Sequence, residues 1–215
     1  KKLSPDYENI IFSPYSITSA FSMVSEGATG KNKKEMYKVM HYPDNLDSIH
    51  LMYSEINEFL NRKNKGYDFN IANSLWYEKT KKFQSSYFDK INKYYKSVLL
   101  ESDFKYAYKE ERIRINSWVE DKTNSIIKDL LPPKSLNSLV KLVLCNAIYF
   151  KDSWKTEFDS TLTKEQPFHL NNREKTSISM MRNKNMKHAK LAYLKKYNIL
   201  EMQYSSEDLS MLIIL

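Results

Sequence analysis

The 215-residue sequence contains one cysteine, Cys145, so no disulfide can form within the chain. Its place inside an apolar run marks it as an inert core thiol rather than a nucleophile. Only 3 glycines are present, and no internal repeat or low-complexity linker is visible, so no domain boundary is placed. The longest apolar run is 142–150, interrupted by Asn146, whereas a membrane span needs about 18 residues. The opening Lys1-Lys2-Leu3-Ser4-Pro5 has no signal-peptide core, and residues 1–8 read as the frayed end of an element that begins further upstream. No Asn-x-Ser/Thr acceptor occurs. The missing cystines and sequons favour an intracellular setting.

Catalytic constellations are missing as well. Gly27-Ala28-Thr29-Gly30-Lys31-Asn32 approaches a phosphate loop, but Ser25 stands where the first glycine belongs and Asn32 where Ser or Thr is needed. There is no G-x-S-x-G elbow and no H-E-x-x-H. His41, His50, His169 and His188 lie far apart without metal spacing, and each reads as a surface or helix-end residue. Glu110-Glu111 and Glu120-Asp121 fall on an amphipathic helix and read as its solvated face. The sequence points away from an enzyme and implies no metal or cofactor.

What is present is core material. Hydrophobic residues make up 41%, with 16 Tyr and 10 Phe, enough for one well-cored domain and against disorder. The net charge is +8, but the cations are scattered over Lys31/Lys33/Lys34, Arg62/Lys63/Lys65, Lys79/Lys81/Lys82 and Lys184/Lys187/Lys190/Lys195/Lys196. With acids between these groups, they read as solvated surface rather than a nucleic-acid track.

The run at 142–150 alternates Leu142, Leu144, Ile148 and Phe150 with Val143, Cys145, Ala147 and Tyr149. Both faces are apolar, which predicts a central strand of a large sheet. Asn146 is the exception: its amide would cost about 1–3 kcal/mol if buried without partners. Upstream, 9–12 reads as a short buried strand closed by Ser13-Pro14. Ile17, Ala20, Phe21, Val24 and Ala28 then follow helical spacing, and Gly27 and Gly30 separate this helix from a second one reaching Met40. After a turn at 41–44, Ile49, Met52, Tyr53, Ile56, Phe59 and Leu60 mark an amphipathic helix ending in Arg62, Lys63 and Lys65.

Residues 69–77 read as a second main-sheet strand, with Phe69, Ile71 and Leu75 opposite Ala72 and Trp76. A helix through Phe83–Tyr95 spacing and a short strand at 98–100 follow. The spacing then predicts a helix over 108–131, with the stripe Ile115, Trp118, Val119, Ile126 and Leu130, ended by Pro132-Pro133. Short alternating segments at 166–170, 176–180, 186–194, 198–202 and 209–215 imply one or two antiparallel sheets. The class is α+β, a large central mixed sheet covered by helices plus smaller antiparallel sheets.

Three stretches resemble the serpin family. Residues 142–154, LVLCNAIYFKDSW, are similar to its LVLxNAxYFKGxW strand, with Asp152 in place of the glycine. Residues 9–17, NIIFSPYSI, running into Met23 and Gly27-Ala28-Thr29-Gly30, resemble its N-terminal signature. Asn116-Ser117-Trp118-Val119 with Thr123 resembles the helix packed across its main sheet. The likeness runs from Asn9 to Leu215, where LSMLIIL resembles a further family strand. It implies a single serpin domain over residues 1–215, incomplete at its C-terminus, with the reactive-centre loop outside this chain.

The resemblance also implies a function. Serpins are metastable inhibitors: a protease cleaves an exposed loop, the loop inserts into the main sheet, and the acyl-linked protease is distorted. In family terms Ser13, Ser16 and Asn146 match the shutter that controls sheet opening, Trp154 the breach where insertion begins, and Asn116, Trp118 and Thr123 the sheet-covering helix. Ser13 and Ser16 equally suit a helix start, and Asn146 a local backbone contact. The implied partner of the complete protein is a serine protease, or a cysteine protease, met by a monomer without nucleic acid or membrane. The basic end at Arg62 offers a glycosaminoglycan contact. Secretion is the family expectation, with a cytoplasmic protein as the alternative. Against the inhibitor stand a non-inhibitory carrier, chaperone or storage serpin, and a polyanion-binding module.

Overall fold

The computed structural model describes residues 10–43, 47–62, 66–170 and 174–215. Backbone contacts group the chain into two units, one comprising 13–63 and 69–150, the other mainly 151–215. In the first, α1 (Pro14–Gly27), α2 (Gly30–Val39), α3 (Asp47–Asn61), α4 (Ser85–Tyr95) and α5 (Phe104–Lys122) accompany the strands β1 (Asp68–Glu78), β2 (Val98–Ser102) and β3 (Leu142–Lys151). The sheet order is β2-β1-β3. β1 and β2 run parallel, with Ser74 opposite Val98 and Glu78 opposite Ser102. Along β1 and β3, Phe69 packs on Phe150, Asn73 bonds Asn146 and Glu78 N–H donates to Lys141 C=O. One number rises as the other falls, which is antiparallel pairing. The sheet is therefore mixed, as expected.

Among the described residues the middle strand is β1. The apolar run of β3 predicts a central position, yet β3 lies at the edge of the sheet formed by the described residues. Its two apolar faces report two covered faces and say nothing about how many edges are paired. One face carries a core of Met23, Ile49, Tyr53, Leu75, Ile91 and Tyr95, to which Leu142 and Leu144 are added. The other carries Trp76, Phe104, Ile115, Val119, Leu136 and Cys145, with Val143 and Trp118. Thus α1, α3 and α4 line one side and α5 the other. Burying each large side chain of these cores contributes roughly 1.5–3 kcal/mol.

Two helices turn different faces inward than their apolar spacing predicts. In α1 the buried residues are Ser19, Ser22, Met23 and Ser25, while Ile17, Phe21 and Val24 are exposed. The small serines admit tyrosines: Ser22 Oγ shares a hydrogen bond with Tyr42 OH at 2.6 Å and donates to Tyr53 OH at 3.3 Å. In α3, Ile49, His50, Tyr53 and Asn57 are buried, while Met52 and Phe59 are exposed. His50 lies in the first turn of α3, at a helix end as its sequence context allows, but is buried rather than on the surface. Its Nε2 lies 2.5 Å from Glu26 Oε1 and its ring stacks on Tyr94 at 4.1 Å, while Lys90 Nζ sits 3.3 Å from Glu26 Oε2. A buried carboxylate demands such partners, and meeting that demand fixes the rotation of α3.

Three further expectations are corrected. Residues 10–12 form no strand, and Ile11 is fully exposed; Asn9 lies outside the described residues. The helix expected over 108–131 runs instead from Phe104 to Lys122, because Asn124 and Ser125 adopt φ of 49° and 60°, a left-handed turn that ends a helix. Ile126, 73% exposed, and Leu130 consequently leave the predicted apolar stripe. Glu111 is buried rather than solvated, accepting from Asp103 N–H at 3.1 Å and pairing with Arg114 at 3.0 Å.

In the second unit, β4 (Lys164–His169) pairs antiparallel with β5 (Lys175–Met180). β6 (Ala189–Tyr193), β7 (Asn198–Gln203) and β8 (Ser210–Ile214) form an antiparallel sheet in that order. These are the two smaller sheets that the alternating segments predict. Among the described residues no helix is long and apolar enough to cross a membrane.

Where β1 ends, Glu78 ties the strand to α5. Its side chain is fully buried, and its carboxylate accepts from Thr80 N–H at 3.1 Å and from Lys105 N–H, in the first turn of α5, at 3.0 Å. Burial pushes the carboxyl pKa up, but the donors of Thr80, Lys105 and Phe104 outweigh it and hold it below its ordinary value of 4.5. The stabilisation from this ionised group is therefore complete above about pH 4.5 and is lost as pH falls through the lower folded-state value. Glu78→Gln puts an NH2 group against backbone donors. It is expected to cost about 2 kcal/mol at pH 7 and to flatten the acid limb of the stability profile, measured by urea unfolding from pH 3 to 7.

Candidate functional site

The polar residue of β3 is answered by a partner on β1. Asn146 Nδ2 donates to Asn73 Oδ1 at 2.7 Å, and Asn73 Nδ2 donates to Tyr95 C=O, at the last turn of α4, at 2.8 Å. A relay thus runs from β3 through β1 to α4. It stops short of full satisfaction: Asn146 Oδ1 is buried and has no hydrogen-bond partner among the described residues. One neutral hydrogen bond contributes about 1 kcal/mol net, and an orphaned buried acceptor costs about 1–3 kcal/mol. Asn146 accordingly fixes register and partner choice and adds little to stability. Asn73 is the residue that sequence reading misses. It sits in an expected strand, two residues before the core residue Leu75, and only the antiparallel register reveals it as the mate of Asn146.

Ser13 and Ser16 act together, at the start of α1. Ser13 is the N-cap, its Oγ accepting from Ser16 N–H at 3.1 Å, with Pro14 in the first turn. Among the described residues no hydrogen bond joins either serine to Asn146, so the helix start is the role this geometry displays. Cys145, next to Asn146, faces α5 within the core. Burial pushes its thiol up to about 11, against a lowering hydrogen bond from Ser74, which keeps it protonated and unreactive.

On α5 the three singled-out residues have distinct contacts. Asn116, nearly buried, clamps the returning chain by donating to Leu131 C=O at 3.0 Å and accepting from Leu131 N–H at 2.8 Å. Trp118 meets Trp76 of β1 edge to face at 6.4 Å. Thr123 closes the helix: its Oγ1 donates to Val119 C=O at 2.8 Å and accepts from Ile127 N–H at 3.1 Å. Sheet and helix are thus joined by aromatic contact, while the segment after the helix hangs on a side-chain amide.

Within the second unit, Trp154 forms an antiparallel bridge with Tyr204, and the two rings stack at 4.7 Å. Asp152, the departure from the resembled motif, has a structural use there. It accepts from Ser205 Oγ at 2.6 Å and Ser153 N–H at 2.7 Å. Burial raises its carboxyl pKa, and these donors with those of Ser206 bring it below the ordinary range. At the end of α3, the Arg62 guanidinium lies over the Phe59 ring at 4.2 Å; Lys63 and Lys65 lie outside the described residues. Among those residues, no three His, Cys, Asp or Glu side chains are placed to hold a metal ion.

A mixed sheet, a helix laid across one face and an amide pair between its strands describe a known scaffold. The family model for serpins (serine protease inhibitors) matches residues 1–215. The chain belongs to the serpin family. It is 36% identical to human Serpin B4 over 96% of this chain and 57% of that protein, and 38% identical to the leukocyte elastase inhibitor of Sus scrofa over 96% and 54%. Among solved structures, ovalbumin from emu (Dromaius novaehollandiae) superposes with a TM-score of 0.89 at 34% identity, over 97% of this chain and 57% of that one. This serpin chain thus spans a little over half the length of these relatives.

The two amides of the relay are not equivalent, and the difference is measurable. Asn73→Ala leaves Asn146 Nδ2 and Tyr95 C=O unpaired beside the existing orphan, and is expected to cost about 2–3 kcal/mol. Asn146→Ala exchanges one orphan oxygen for another and loses a single bond, for about 1 kcal/mol plus its small cavity. Urea unfolding of the two variants should rank them in that order.

Proposed function

We propose that the whole protein is a single-use trap for serine proteases. The observation that carries this reading is the amide pair between β1 and β3: Asn146 donates to Asn73 Oδ1 at 2.7 Å, so a polar contact that can exchange partners joins two strands of the main sheet. In the trap, the protease serine attacks a peptide bond of an exposed loop, the amine product leaves, and an acyl ester joins protease to loop. The loop then adds beside β3 before water reaches the ester. A new strand or a shifted neighbour that donates to Asn146 Oδ1 relieves an acceptor that has no partner among the described residues, a gain of about 1–3 kcal/mol.

Ser13, Ser16 and Asn146 serve in this reading as the shutter, whose short polar groups exchange partners at low cost. Trp154 serves as the breach, where insertion starts. α5 yields through Asn116, Trp118 and Thr123, since the polar clamps at both ends of its return can reform after displacement. The name of the porcine relative, an elastase inhibitor, supports a serine protease as target, and a cysteine protease offers the same acyl chemistry. The protein acts as a monomer in the extracellular space, with Arg62, Lys63 and Lys65 as a glycosaminoglycan contact.

Incubation of the whole protein with trypsin-like, chymotrypsin-like and elastase-like proteases, followed by denaturing electrophoresis, tests the trap. A band at the summed mass that survives boiling in detergent is expected with at least one protease. Cleavage without that band from all three classes, and from a papain-like cysteine protease, would reverse the reading in favour of a non-inhibitory carrier, chaperone or storage serpin.

A further inference from the structure

We propose that a cleft on the flank of α5 binds a small amphiphilic anion, an aliphatic or aromatic carboxylate. The cleft has a volume of about 630 Å3 and lies between the N-terminal half of α5 and residues 133–137, within the size range of small-molecule sites. Its walls are apolar, built from Tyr108, Ile113 and Leu136. Leu136 belongs to the core, whereas Ile113 is 57% exposed, an apolar surface left uncovered by the described residues. Lys109, Arg112 and Lys134 line the cleft as well, and no acidic residue does.

These cations have little else to do. Among the described residues Lys109 and Lys134 form no ion pair. Arg112 donates one Nη1 bond to Leu131 C=O at 2.8 Å, which anchors its guanidinium at the wall and leaves further donors of its five. Three positive charges over an apolar floor fit a ligand with one anionic end and an apolar body. An inorganic anion would leave the floor wet, and a cationic amphiphile would meet like charge.

The backbone supplies an independent pointer. Pro132-Pro133-Lys134-Ser135 is a tight turn closed by Ser135 N–H donating to Pro132 C=O at 3.1 Å. Lys134 holds its third position with φ of 70°, where glycine is ordinarily found. A lysine kept in a strained position, in the lining of a cation-rich cleft, is explained by use of the side chain.

Isothermal titration calorimetry of the whole protein tests the site, with decanoate, decyltrimethylammonium and inorganic phosphate as probes. Decanoate is expected to saturate one site, with the cationic amphiphile at least about tenfold weaker and phosphate giving no heat of binding. Lys134→Gly removes the charge and suits the turn, so it should keep or raise the melting temperature while weakening decanoate about five- to tenfold. Ile113→Asp puts a carboxylate in the cleft at an exposed position and should reduce decanoate binding still further. Equal binding of the two amphiphiles, or wild-type decanoate affinity in either variant, overturns the proposal.

Discussion

A strand covered on both faces can bury polar side chains only where each one is answered, and β1 buries three, Asn73, Ser74 and Glu78. Asn73 is answered by Asn146 and Tyr95, Ser74 by the Trp76 indole N–H at 2.8 Å, and Glu78 by backbone donors that include the first turn of α5. Because an unanswered buried group costs as much as a good contact gains, these pairings select one position for β3, α4 and α5 about the strand. The apolar cores on either side supply cohesion but accept many rotations. The polar pairings reject all but one.

The same rule reaches into the helices. Glu26, almost wholly buried, draws His50 and Lys90 to itself, and in doing so turns α3 so that Met52 and Phe59 face outward. The serines of α1 pack inward because a short hydroxyl can both fit beneath Tyr53 and bond it. Hydrophobic spacing finds the helices, and hydrogen-bond demand decides which way they face.

What could be read from the sequence follows this division. Element type and order were legible, since periodicity is a local property: all five strands after Trp154 occur within a few residues of their alternating segments, and α1 begins at the Ser13-Pro14 signal. Motifs gave the family, because they preserve types and spacings over most of the chain. Pairing was not legible. The mate of Asn146 and the partner of His50 depend on contacts between residues 73 and 24 positions apart, for which a single sequence offers no local sign. The end of α5 was lost for a different reason: Ile126 and Leu130 continue the helical spacing by coincidence, and the left-handed turn at Asn124-Ser125 involves residues that also occur in helices.

A sheet edge that opens beside β3 under the proposed mechanism is indifferent to where a strand comes from. Under the proposed mechanism, a loop of the same molecule arrives in a first-order step, at an effective concentration set by its tether. A strand of another molecule arrives in a second-order step, at a rate that rises with the amount of protein in solution. Self-insertion closes the edge and ends the process. Capture from a neighbour is heterologous, so each molecule that gives a strand can still take one, and the contact propagates without closing. On the proposed mechanism dilution therefore favours the single molecule, and the row of hydrogen-bonding groups that would complete a trap in one molecule would start a filament among many.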